Sequence, residues 1–69
     1  MSDKERIGKC IAEKRKLKGL SQFQLSQLTN IDAGHVARIE QGRFNVGVDT
    51  LARLCEPLGL KIELVEKKD

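Results

Sequence analysis

Few side chains in this 69-residue chain suit covalent or metal chemistry. It has one histidine, His35, and two cysteines, Cys10 and Cys55. No serine, cysteine or acid is placed to pair with His35 as nucleophile and base. The cysteines do not form a C-x-x-C pair and His35 is the only other strong ligand, so no structural zinc site is expected. Both thiols fall at apolar phases of predicted helices and should be buried as small hydrophobes. The sequence carries no paired carboxylates, phosphate-cradling loop or metal-ligand cluster. The expectation is a protein that is not an enzyme and has no cofactor.

What the chain offers instead is charge, unevenly distributed. The net charge is +3. Residues 1–20 hold seven Lys/Arg against three acids, whereas residues 21–31 hold no charge. A basic N-terminal helix suits contact with a polyanion. The length allows one domain. No apolar leader follows Met1, and the longest apolar runs are two or three residues, far short of a membrane span. A soluble, cytoplasmic protein with no membrane partner is expected, with Met1 and the charged Lys67-Lys68-Asp69 end as natural termini.

The elements that must position these residues are helices. Ser2-Asp3-Lys4-Glu5 is a capping box, S-x-x-E, opening a first helix. Ile7, Cys10, Ile11 and Leu17 come next at helical spacing, and Gly19 closes it. Ser21-Gln22-Phe23-Gln24 is a second capping box, opening a short helix to about Thr29 with Leu25 and Leu28 facing inward. Asn30-Ile31-Asp32 is a tight turn: Asn tolerates positive φ, and Asp32 can cap the next helix. This third helix runs Ala33 to Gln41 with Val36 and Ile39 inward, ended by Gly42. Val48, Leu51, Ala52, Leu54, Cys55 and Leu58 mark a fourth, which Pro57 should end or kink near residues 54–56.

The tail changes period. Leu60, Ile62 and Leu64 alternate with Lys61, Glu63 and Glu66 around Val65, a strand pattern. No other segment reads as a strand, and a lone strand is a template for another chain. The simplest partner is the same tail of a second copy, making Leu60, Ile62 and Leu64 a dimerisation element.

Two short helices joined by a tight turn over residues 21–41 define a helix-turn-helix, whose second helix lies in the major groove of DNA. Its outward positions are Ala33, Gly34, His35 and Arg38. The stretch Gly19-Leu20-Ser21-Gln22-x-x-Leu25-Ser26, then Ile31, then Val36-Ala37-Arg38-Ile39-Glu40-x-Gly42, then Thr50-Leu51 and Leu58-Gly59, resembles the phage-repressor (Cro and XRE) helix-turn-helix family over roughly residues 7–60. The ordered set G-L-S-Q … I-E-x-G is specific. The fold implied is mostly α, four to five helices, with the C-terminal strand appended. Residues 1–59 would be the DNA-binding domain and residues 60–69 the tail.

The resemblance also implies roles. Gln22 would bond a DNA phosphate and brace the recognition helix. Asp32, Ala33, Gly34 and Arg38 stand where the family faces DNA. Arg38 could bond guanine O6 and N7, and Ala33 could touch a thymine methyl. His35, Arg43 and Asn45 match backbone contacts, which position without reading sequence. Glu40 would pair with Arg15, locking the first helix to the recognition helix. The chain departs from the family at Ser26 (usually Ala), Asn30 (usually Gly), and Val46-Gly47 (commonly Pro-Ser), which leaves the fourth helix less well capped. Gly34 gives close backbone approach but no side-chain readout. The function implied is a sequence-specific, double-stranded-DNA-binding transcriptional regulator, a repressor, acting as a homodimer on a palindromic operator. The alternative is an antitoxin-like DNA-binding protein whose main partner is a toxin protein. A pure protein-interaction module is a third reading, opposed by Arg38 and Gln22.

Overall fold

The computed structural model describes residues 1–68, which form four helices: α1 (Asp3–Leu17), α2 (Gln22–Thr29), α3 (Ala33–Glu40) and α4 (Val48–Leu58). Local chemistry sets most of the boundaries. At α1 the Ser2 Oγ accepts the Glu5 N–H at 3.2 Å, and the Glu5 carboxylate accepts the Ser2 N–H at 2.9 Å. Ser21 and Gln24 repeat the exchange at α2, at 3.0 and 2.8 Å. Asn30 closes α2 in the left-handed region at φ 58°, and Asp32 caps α3 by accepting the His35 N–H at 3.3 Å. The third helix ends at Glu40, one residue before the expected Gln41.

The four helices share one core of Ile11, Leu25, Ile31, Val36, Ile39, Leu54, Cys55 and Leu58. Helix α1 packs on α3 and α4, and α2 also packs on α3 and α4. Helix α3 is thus held by both α1 and α2.

Several expected core positions are displaced. Cys10 and Leu17 are exposed, because the buried face of α1 runs through Ile7, Gly8, Ile11 and Arg15. At about 100° per residue, Cys10 and Leu17 fall well outside that arc. Leu28 is likewise exposed, since α2 buries Leu25, Ser26 and Thr29 instead. The two hydroxyls are tolerated there because each satisfies itself: Ser26 Oγ donates to the Phe23 carbonyl at 2.6 Å, and Thr29 Oγ1 to that of Leu25 at 2.8 Å. Of the two thiols only Cys55 is buried, and burial pushes its pKa up, with nearby Cys10 adding to the shift.

Pro57 does not end α4 near residues 54–56; the helix runs on to Leu58. So close to the end, proline forgoes only the bond to the Arg53 carbonyl. Gly59 at φ 70° then closes the helix, and the Leu60 N–H donates to the Cys55 carbonyl at 3.0 Å. The start of α4 is poorly capped: Gly47 supplies no side-chain bond. Its φ of −68° suits any residue, and nothing lies within 4 Å of an added Cβ. Gly47→Ser should therefore stabilise the fold by roughly 0.5–1 kcal/mol, through a cap and a less flexible unfolded chain. Calorimetry would read this as a melting temperature several degrees higher; no rise would mean that the hydroxyl finds no N–H.

The tail forms no strand, and there is none elsewhere among the described residues. Leu60 packs against the core, Ile62 is 43% exposed and Leu64 is 97% exposed. A strand needs a second edge, and a single chain supplies none. Asp69, the last residue of the expected tail, lies outside the described residues.

Candidate nucleic-acid interface

The site is built around a buried ionic lock. Arg15 Nε donates to Glu40 Oε2 at 2.7 Å, and Arg15 Nη2 to Glu40 Oε1 at 2.9 Å. The third guanidinium nitrogen, Nη1, donates to the Leu20 carbonyl at 2.8 Å. Gln22 Nε2 also reaches Glu40 Oε1, at 2.9 Å. The two charged side chains are 9% and 5% exposed. The bond from Glu40 raises the pKa of Arg15 against the opposing effect of burial. One carboxylate at the C-terminal end of α3 thus ties down α1 and the first residue of α2. The Gln22 amide nitrogen carries two hydrogens and spends one here, leaving a donor for an outside acceptor.

The outward surface of α3 is organised differently. Gly34 is exposed; a Cβ there would stand 3.0 Å from Asp32 Oδ2 and 3.7 Å from Arg38 Nη1. A carboxylate and a guanidinium therefore flank bare backbone. Arg38 is exposed and belongs to none of the ion pairs among the described residues. Ala33 is half-buried at the start of the helix. The His35 ring meets Phe44 edge-on, centroids 4.4 Å apart and planes at 72°, so the loop after α3 is packed onto the helix. The Arg43 N–H donates to the Arg38 carbonyl at 3.0 Å, which keeps the start of that loop close to α3. At the turn between them, Gly42 takes φ 73° against the backbone of Glu5, where no side chain fits.

Asp32, Gly34, His35 and Arg38 are thus brought together, with Arg43 beside them. Gln22 sits apart, at the far end of α3 with Glu40. Asn45 lies in a different hollow, with Asp3, Lys4 and Phe44. Sequence reasoning missed Thr50 and Arg53 of α4, which line one concavity with Asn30, Asp32, His35 and Arg38. Their i, i+3 spacing on a predicted helix was the available signal.

A family model described as helix-turn-helix matches residues 11–65. The chain belongs to the Cro and XRE type of helix-turn-helix family. This helix-turn-helix chain is 40% identical over 47 residues to an uncharacterized HTH-type transcriptional regulator of Haemophilus influenzae, covering 68% of its own length and 48% of the relative. It is 30% identical over 59 residues to the immunity repressor protein of Bacillus phage phi105, covering 86% of its own length and 41% of that protein. It therefore spans less than half the length of these two relatives.

Proposed function

We propose that the protein binds double-stranded DNA as a sequence-reading transcriptional regulator, a repressor, with α3 in the major groove. The observation that carries this is the contrast across α3: its inner end is locked by Glu40, while Arg38 stands exposed, and unpaired among the described residues, beside the bare backbone of Gly34. A rigid helix offering an uncommitted guanidinium can bond guanine O6 and N7, worth roughly 1–3 kcal/mol of discrimination. Gln22, Arg43 and Asn45 serve the phosphates, and Ala33 can touch a thymine methyl. A cytoplasmic location goes with this reading, and no helix among the described residues is long and apolar enough to cross a membrane.

We further propose that it acts as a homodimer, with residues 1–59 holding the DNA and the tail pairing Leu60, Ile62 and Leu64 with a second copy. The exposed apolar side chains of Ile62, Leu64 and Val65 support this. Two-fold symmetry would set recognition helices roughly 34 Å apart, on a palindromic operator. The same exposed tail supports a second reading, in which it grips a toxin protein. Selection of bound sequences from a random duplex pool at near-physiological salt tests these proposals. An inverted repeat with half-sites about 10 base pairs apart is the expected result. A single unrepeated half-site would count against the dimer, and no enrichment would count against sequence reading.

A further inference from the structure

We propose that Arg53 of α4 clamps a DNA backbone phosphate at the N-terminal end of α3, a role that rests on the DNA-binding function proposed above. Arg53 lines a notch with Asn30, Asp32, His35, Arg38 and Thr50, open between the turn before α3, α3 itself and α4. Its residues carry two guanidinium groups against one carboxylate, and that carboxylate, Asp32, is already engaged as the cap of α3. The notch is therefore net positive and suits an anion. Two nearby acids on the same helix could compete for Arg53: Asp49 lies four residues before it and Glu56 three residues after. Neither is within ion-pair distance, and Arg53 belongs to no ion pair among the described residues.

The position matters as much as the charge. Arg38 belongs both to the notch and to the outward face of α3, where its Nη1 stands 3.7 Å from the place a Cβ would take on Gly34. The notch thus opens onto the surface that would meet the duplex. Gln22, the donor at the other end of α3, bonds Glu40. The eight residues of α3 separate the two ends by about 12 Å, too far to serve one phosphate. Arg53 adds a second, independent anchor, and the charge that reaches DNA comes from α4 as well as from the helix-turn-helix.

The test is the salt dependence of binding for the full chain and its Arg53→Gln and Arg53→Lys variants, on a selected duplex and on a random one. Arg53→Gln should weaken binding about fivefold at ~0.15 M salt, equally on both duplexes, and reduce the slope of log affinity against log salt by about one. Arg53→Lys should keep the slope. If the wild type binds and Arg53→Gln keeps its affinity and slope, the clamp is wrong and the DNA-binding function stands. If the wild type shows no salt-dependent binding to any duplex, both fall.

Discussion

Replacing Glu40 with alanine is expected to destabilise the fold by about 3–5 kcal/mol, because it strands a buried cation. Three donor groups converge on this carboxylate: Arg15 Nε, Arg15 Nη2 and Gln22 Nε2. Without it the guanidinium of Arg15, a side chain only 9% exposed in the intact fold, keeps only the Leu20 carbonyl. Arginine cannot escape by losing its proton. Its pKa is already raised in the fold by Glu40, so the stabilisation from this side of the pair is fully present below the ordinary arginine range and is lost only at higher pH. A chain of this size has roughly 3–10 kcal/mol of stability in all, so the variant should sit near the edge of folding. Thermal melts followed by circular dichroism should show a far larger drop for Glu40→Ala than for Arg38→Ala, which changes an exposed side chain. An equal or smaller drop would remove the lock from this account.

Gly8→Ala is expected to cost about 2 kcal/mol or more, although alanine is the better helix former by about 1 kcal/mol. A Cβ on Gly8 would run into the carbonyl oxygen of Ile39 and stand 2.8 Å from that of Glu40. Both are backbone atoms of α3 and cannot rotate away. Helix α1 would have to lift from the recognition helix, and Arg15 lies on the same face of α1, so the ionic lock would stretch with it. Urea unfolding measures this directly. A Gly8→Ala variant as stable as the wild type would mean that α1 does not approach α3 so closely.

The features legible in the sequence are those decided within a few residues. Ser2 with Glu5 and Ser21 with Gln24 are reciprocal caps, Asn30 tolerates the left-handed turn, and Asp32 is a helix cap; each shows in one turn of chain. The burial of Ile11, Leu25, Val36, Ile39 and Leu58 comes from helical spacing alone. The errors come from positions where an apolar residue does not mark the buried arc. In α1 that arc includes Gly8 and Arg15, which carry no apolar signal, so Cys10 and Leu17 filled the apparent pattern and were placed inside. In α2, Ser26 and Thr29 are buried because their hydroxyls bond carbonyls of their own helix, which displaces Leu28. Pro57 reads as a helix breaker in the sequence, but it falls one residue before the end of α4, where it has little left to break. The i, i+3 spacing of Thr50 and Arg53 shows in the sequence, but only tertiary packing brings Arg38 and Asn30 to them. The tail shows the limit in another form: alternation marks a strand, but the edge that would pair with it must come from another chain.

We propose that the exposed face of α3 reads base pairs, with Arg38 as its main reader. The measurement that tests it most directly is the ratio of affinities of wild type and Arg38→Ala for a selected duplex and a scrambled one of equal length. Arg38→Ala should lose roughly 1–3 kcal/mol of preference for the selected site. Its binding to the scrambled duplex should change far less. A wild type that binds neither duplex, or an Arg38→Ala variant that keeps the full preference, would contradict the account.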